Sequence, residues 1–160
     1  MPLKVVALDI YGTVLAFDDC DYSCPPRLGF ADFLDACEAR KIKVVTSSDG
    51  YIPNVKNDLE IAFKMVIERL LTPEERLAMK KRLNLNRFDG FFQLDQGIKD
   101  FSIIISHYNI ISSELLVIGD NPNKDICGAL KVKANARLCP IYGINQGRDW
   151  DFSKMNLGRI

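Results

Sequence analysis

The chain has 160 residues, of which 48% are hydrophobic, and this is enough for one compact domain with a sizeable core. Its 21 basic and 21 acidic residues cancel and are interspersed, which argues against nucleic acid or an anionic membrane surface as a partner. No signal peptide and no run of eighteen apolar residues is present, so we expect a single cytoplasmic domain over residues 1–160.

Short apolar runs predict five β-strands, and segments with helical spacing separate them. This alternation favours an α/β fold, a Rossmann-like three-layer sandwich whose central sheet is mostly parallel. The strands are expected at residues 4–8, 42–46, 90–94, 114–120 and 136–141.

The segments between the strands predict five helices. The third has the clearest start, because Thr72 is a good cap, Pro73 occupies the first helical position and Glu75 completes a capping box. The helices are expected at about residues 30–41, 55–70, 72 onward, 99–108 and 124–133.

Polar residues follow four of the predicted strands. Because the carboxyl ends of parallel strands meet at one edge of a sheet, these side chains should lie close together there. Asp9, directly after the first strand, is the first candidate for a reacting group. The others are Thr46 and Ser47 after the second strand, Lys99 beyond the third, and Asp120 with Asp125 after the fourth.

The order of these motifs resembles the haloacid dehalogenase superfamily of phosphatases, phosphotransferases and dehalogenases. DIYGT at residues 9–13 corresponds to the first motif, and the stretch 114–129, ELLVIGDNPNKDICGA, is the closest match to the fourth. The resemblance covers essentially the whole chain. Only about thirty residues separate Thr13 from Thr46, so no large cap domain is expected there.

The resemblance implies that Asp9 is a nucleophile, since a carboxylate can attack phosphorus and carry the phosphoryl group until water removes it. It also implies a Mg²⁺ cofactor held by the Asp9 carboxylate, the backbone carbonyl of Tyr11 and Asp120, with Asp125 ligating or orienting water. The chain is thus expected to be a Mg²⁺-dependent phosphatase acting on a small phosphorylated substrate or a phosphoprotein.

The phosphate itself would be bound by the remaining motif residues. By the same resemblance, Thr46 and Ser47 contact phosphoryl oxygens, and Lys99 neutralises charge on the nucleophile and the phosphate. Gly12 would let the backbone approach the phosphate closely.

Tyr11 stands where most phosphatases of the superfamily have a second aspartate, the general acid and base. A tyrosine with a pKa near 10 is a poor base at neutral pH. Turnover is then slow, confined to good leaving groups, or assisted by another acid such as Asp18, Asp19 or Asp49.

Two alternatives follow from Tyr11. One is a catalytically degenerate protein that binds a phosphorylated ligand or partner. The other is a 2-haloacid dehalogenase, which the DxYGT form resembles, although the short first insertion and the acidic GDNPNKD motif argue against it. The loop over residues 18–29 follows the nucleophile and is either a specificity element or a plain surface loop.

The five cysteines are scattered and odd in number, which indicates reduced thiols rather than a disulfide framework. Cys20 and Cys24 lie among acidic residues and are conceivable metal ligands. A single C-x3-C pair with one distant histidine falls short of the usual zinc ligand set, so we predict no zinc site. That histidine, His107, is expected on the surface or in packing contacts.

Overall fold

The computed structural model describes residues 2–158 and contains a five-stranded sheet. The strands lie in the order β3-β2-β1-β4-β5, and every neighbouring pair is parallel. Their bounds are Val5–Leu8 (β1), Lys43–Thr46 (β2), Gly90–Phe91 (β3), Leu115–Gly119 (β4) and Asn135–Leu138 (β5).

Residues 2–158 contain five α-helices. They are Phe30–Ala39 (α1), Ile52–Glu68 (α2), Pro73–Arg82 (α3), Ser102–Tyr108 (α4) and Cys127–Lys131 (α5). None of the helices within residues 2–158 is long and apolar enough to cross a membrane.

The two faces of the sheet are buried in two separate cores. In β1, Val6 and Leu8 point into a core shared with α1 and α2, whereas Val5 and Ala7 point into a second core shared with α4 and α5. A strand that is apolar at every position is what burial on both faces requires. The expected α/β Rossmann-like sandwich, with a parallel central sheet and no large cap, is therefore confirmed.

The strand register aligns the functional edge. Leu8, the last residue of β1, pairs with Thr46 of β2 and with Ile118 of β4. Asp9 and Ser47 therefore leave the sheet side by side, and Gly119 leads directly into Asp120 at the same edge.

Several element boundaries differ from the sequence-based expectation. Helix α4 begins at Ser102 rather than near residue 99, because Asp100 caps the backbone N–H of Ser102 with its carboxylate. Residues 122–126 form a π-helical turn ahead of α5, with the Asn121 side chain accepting from two backbone N–H groups of that turn. Because α4 begins only at Ser102, Lys99 lies in the loop that precedes it.

The outer strands are shorter than the apolar runs suggested. β5 ends at Leu138, although the next residue still donates its backbone N–H to the Gly119 carbonyl; Pro140 then lacks an N–H for the ladder. The capping box of α3 is present as expected, with Thr72 and Glu75 each accepting from the other's backbone N–H.

Candidate active site

Lys99 joins the ends of three chain segments at the carboxyl edge of the sheet. Its Nζ lies 3.0 Å from Oδ1 of Asp9 and 2.6 Å from Oδ1 of Asp125. The lysine is 2% exposed, Asp9 8% and Asp125 1%, so water screens these ion pairs weakly. The arrangement holds a buried ammonium directly against the candidate nucleophile.

Asp120 completes a cluster of three carboxylates. One oxygen each from Asp9, Asp120 and Asp125 lies within 4.8 Å of the other two, and no other such group of histidine, cysteine or acidic side chains occurs in residues 2–158. Cys20 and Cys24 thus belong to no such cluster. Oxygen donors alone, gathered at this spacing, fit a hard divalent cation such as Mg²⁺.

Thr13 and Gly12 set the position of Asp120. The Thr13 hydroxyl lies 3.3 Å from Oδ2 of Asp9 and 3.0 Å from Oδ1 of Asp120, and it can donate to one of them at a time. Gly12 has φ of +86°, and a Cβ there would lie 2.6 Å from Oδ2 of Asp120. Glycine is therefore required here for the approach of Asp120, and the close approach of a phosphate to its backbone stays a prediction.

The cluster perturbs the ionisation of its members. Burial, with the hydrogen bond and the charge of Asp9, raises the pKa of Asp120 to about 7. Burial and the charge of Asp9 raise the pKa of Asp125 to about 6, although Lys99 opposes this. Burial alone would lower the pKa of Lys99, but the two carboxylates outweigh it and raise that pKa. The site holds more negative charge than Lys99 compensates, which is the condition for attracting a cation.

A cavity of about 110 Å³ opens over this cluster. Asp49 and Lys124 lie in its wall and form an ion pair of 3.0 Å, each side chain about one third exposed. The sequence offered Lys124 no role, although it stands inside the GDNPNKD motif. The lining residues are Asp9, Tyr11, Asp49, Lys99, Asp120, Asn121, Lys124 and Asp125.

Thr46 and Ser47 lie at the end of β2 but are not in the wall of this cavity. Thr46 is 1% exposed and Ser47 is fully buried. The Ser47 hydroxyl has no hydrogen-bond partner, so it is free to receive one. The structure places both residues beside β1, the strand that leads into Asp9, and their contact with a phosphate stays a prediction.

The Tyr11 side chain directs its hydroxyl to Asp58 rather than to the carboxylate cluster. That hydroxyl donates to Oδ2 of Asp58 at 2.5 Å, while Tyr22 donates to the other oxygen of the same carboxylate at 3.0 Å. Burial and the bond to Asp58 raise the pKa of Tyr11 well above its ordinary value. A phenol that holds its proton this tightly is poorly suited to general acid and base work at neutral pH.

The three substitute acids suggested by the sequence lie in different places. Asp18 accepts the backbone N–H of Ile144. Asp19 accepts from the backbone N–H groups of its own turn. Of the three, Asp49 is the one that lines the cavity of the carboxylate cluster.

His107 packs edge-on against the rings of Phe92 and Tyr108, with centroids 5.3 and 4.8 Å away. His107 is also exposed, so its surface position and its ring contacts both agree with the expectation. Asp58, by contrast, was not predicted, because a single carboxylate on an amphipathic helix carries no signal of its own.

No protein-family model and no curated protein sequence matches this chain. Solved structures do. The N-terminal part of a Bacteroides fragilis protein, which contains a phosphatase domain and is complexed with Mg, matches 87% of the chain with a TM-score of 0.56 and 17% identity. The chain spans 36% of that structure's length.

Two further structures match at similar levels over most of both chains. A haloacid dehalogenase-like hydrolase from Streptococcus pneumoniae has a TM-score of 0.53 and 11% identity, covering 89% of this chain and 88% of its own. A hydrolase of the same superfamily from Geobacter sulfurreducens has a TM-score of 0.53 and 11% identity, covering 92% and 97%. At these identities the likeness concerns architecture, and the chain has the haloacid dehalogenase-like fold.

Proposed function

We propose that this protein is a Mg²⁺-dependent phosphatase that uses Asp9 as its nucleophile. The observation that carries the proposal is the placement of Lys99, whose Nζ lies 3.0 Å from Asp9 while Asp120 and Asp125 gather around the same carboxylate. The similar fold of a phosphatase domain complexed with Mg supports it.

The reaction begins with attack of an Asp9 carboxylate oxygen on the phosphorus of a monoester. The bond between phosphorus and the ester oxygen breaks, and the leaving oxygen takes a proton as the alcohol departs. Water then attacks the phosphorus of the aspartyl phosphate, which releases inorganic phosphate and restores the carboxylate. Lys99 holds Oδ1 of Asp9 throughout and offsets the negative charge that two approaching anions bring together.

The carboxylate cluster would hold the cation through Asp9, Asp120 and the backbone carbonyl of Tyr11, with Asp125 ligating or orienting water. When bound, Mg²⁺ supplies positive charge beside the phosphoryl oxygens and fixes their orientation. Asp125 also accepts a hydrogen bond from Lys99 at 2.6 Å, so it serves the lysine as well as the metal.

The proton for the leaving oxygen has a better source in Asp49 than in Tyr11. Asp49 lies in the wall of the cavity that Asp9 lines, and it must exchange its ion pair with Lys124, at 3.0 Å, for a proton before it can act as an acid. The Tyr11 hydroxyl is bonded to Asp58 instead. We therefore propose Asp49 as the general acid and Tyr11 as a backbone ligand.

A second candidate function is binding without turnover. The observation in its favour is the tyrosine at position 11, whose hydroxyl serves Asp58 where a second aspartate would face the substrate. A metal-free 2-haloacid dehalogenase fits less well, because it needs no cluster of three acids. A small phosphorylated substrate or a phosphoprotein remains the predicted partner, with no nucleic acid or membrane involved.

Hydrolysis of p-nitrophenyl phosphate with and without Mg²⁺ tests the proposal. We expect Mg²⁺-dependent turnover in the parent and none in Asp9→Asn. Activity that appears only after Tyr11→Asp would favour the binding function. Release of halide from 2-chloropropionate without metal would favour the dehalogenase.

A further inference from the structure

A second cavity, of about 230 Å³, adjoins the carboxylate cluster. Its floor is apolar, from residues such as Leu15, Ala16 and Ala62, and its sides come from the loop after the nucleophile and from α2. At roughly 30 Å³ per water, the space holds a group of several heavy atoms. A cavity of this size can hold one part of a small-molecule ligand.

Tyr11 is the wall shared by the two cavities. Its Cα is two residues beyond that of Asp9, so the two backbones lie within about 7 Å of each other. A phosphate held at Asp9 therefore has its ester oxygen a short linker away from the second cavity. The position suits the leaving group of a phosphomonoester.

The lining of this second cavity combines carboxylates with aromatic rings. Asp19 and Asp58 contribute the charge, and Tyr11, Phe17 and Tyr22 contribute the rings. No lysine or arginine belongs to the lining. Aromatic faces and carboxylates both attract an ammonium group, and neither attracts an anion.

Asp58 is held in place rather than neutralised by a cation. Its Oδ2 accepts from Tyr11 and its Oδ1 from Tyr22, and no ion pair involving Asp58 occurs among the described residues. The two phenols fix the carboxylate and place their own rings beside it. Tyr22 adopts φ of +51°, a conformation rare outside glycine, and the residue is 44% exposed.

We propose that this cavity binds the cationic end of an amino-alcohol phosphate, so that the leaving group carries an ammonium or quaternary ammonium two or three carbons from its oxygen. The proposal rests on the proposed phosphatase function for the position of the phosphate. The cavity's affinity for an ammonium follows from its own lining and is measurable without turnover.

The basic side chains nearby lie outside the cavity. Lys64 and Arg69 line a separate outer groove that shares Tyr22 and Met65 with it. Arg148 approaches the sulfur of Cys24, with 3.9 Å between Nη1 and Sγ, and also donates to a backbone carbonyl. Glu68 lines the same groove and pairs with Lys64 at 3.8 Å, so the charges beside the cavity are mixed, whereas the cavity itself has an acidic lining.

Phosphocholine and 3,3-dimethylbutyl phosphate form the deciding pair of substrates. They have the same shape, and one carries a quaternary nitrogen where the other carries a carbon. We expect kcat/KM for phosphocholine to exceed that for the neutral ester by about tenfold or more in the presence of Mg²⁺, the size of a partly desolvated cation–π and charge contact. Equal values, or a preference for the neutral ester, would overturn the proposal.

Asp58→Asn removes the charge while keeping a side chain that pairs with both tyrosines. We expect it to reduce the preference for phosphocholine to about twofold or less. Glu60→Gln is the matched control, because it removes the same charge from the same helix at an exposed position outside the cavity lining. A preference lost equally in both variants would assign it to the general field of the protein and overturn the proposal.

Calorimetric titration with choline separates this proposal from the phosphatase function. We expect choline to bind the parent and Asp9→Asn with similar affinity, and Asp58→Asn at least about tenfold more weakly. Choline binding by a protein that hydrolyses neither ester would contradict the phosphatase function and support ammonium binding by the cavity. Hydrolysis of both esters without choline binding would support the phosphatase function and contradict ammonium binding by the cavity.

Discussion

The Nζ of Lys99 lies 2.6 Å from Oδ1 of Asp125, closer than the 3.0 Å that separates it from Asp9. Asp125 is the more buried of the two acids, so its ion pair with Lys99 is the better shielded from water. Asp9, the proposed nucleophile, consequently contacts a lysine that another carboxylate already positions. Lys99 therefore neutralises only part of the negative charge on the Asp9 carboxylate.

Lys99→Met should lower kcat by about 10² to 10³, since it removes a preorganised positive charge from the reaction centre. It should also lower the free energy of unfolding by about 3 kcal/mol at pH 8, because two carboxylates then stay buried without their cation. Denaturant unfolding of Lys124→Met is the control. That lysine is 37% exposed in its ion pair, so a loss below about 1 kcal/mol is expected. Equal losses would contradict the assignment.

Asp120→Asn should stabilise the metal-free protein at pH 8. The carboxyl has a pKa of about 7 in the folded protein and about 3.9 when unfolded, so folding takes up a proton between these values. Stability therefore falls as pH rises from about 4 to 7 and stays reduced above that. We expect the free energy of unfolding to rise by at least about 1 kcal/mol at pH 8, since a pKa shift of one unit corresponds to about 1.4 kcal/mol.

Thermal unfolding across pH checks this expectation. The gain should shrink towards zero below about pH 3, where the parent carboxyl is protonated in both states. Added Mg²⁺ should raise the melting temperature of the parent and leave that of Asp120→Asn nearly unchanged. A variant less stable than the parent at pH 8 without metal would show that Asp120 has a structural role instead.

Gly12→Ala should weaken Mg²⁺ binding and destabilise the fold. At φ of +86° a side chain costs about 1–2 kcal/mol, and the new Cβ would lie 2.6 Å from Asp120 Oδ2 and displace it. Gly97→Ala is the comparison, because its Cβ would meet nothing within 4 Å. Calorimetric Mg²⁺ titration should separate the two variants, and unchanged affinity in Gly12→Ala would contradict the proposed ligand set.

Asp49→Asn should respond to the leaving group in a way that Tyr11→Phe does not. Loss of a general acid costs about 10² to 10⁴ in rate when the leaving alcohol needs a proton. We expect a loss of that size for an alkyl phosphate and a much smaller one for p-nitrophenyl phosphate. Tyr11→Phe should change both rates by similar factors, and the reverse pattern would return the acid role to Tyr11.

The sequence was sufficient for the fold because the central strands β1 and β4 are apolar at every position and are followed by polar residues. Val5–Leu8 is the clearest case, since burial on both faces leaves one place for such a strand, the middle of a parallel sheet. The proximity of Asp9, Lys99 and Asp120 was predictable, because the strands that precede them all end at the same edge of the sheet. Element ends such as the start of α4 depended on local caps instead.

The contacts that complete the site depend on long-range packing, and no short motif announces them. Asp58 comes from α2 and meets Tyr11 47 residues away. Arg27 is buried against the Trp150 ring and donates to the carbonyls of Thr13 and Gly147. A carboxylate on an amphipathic helix and an arginine in a loop look like surface residues until the chain has folded.

Trapping with beryllium fluoride tests the central claim most directly, because the adduct forms on a nucleophilic carboxylate and needs both the cation and the lysine. Fluorine NMR of the parent with Mg²⁺ and beryllium fluoride should show protein-bound resonances, and these should be absent without Mg²⁺ and in Asp9→Asn. A parent that shows no bound fluoride with Mg²⁺, or an Asp9→Asn variant that binds it equally well, would contradict the claim that Asp9 is the phosphoryl acceptor.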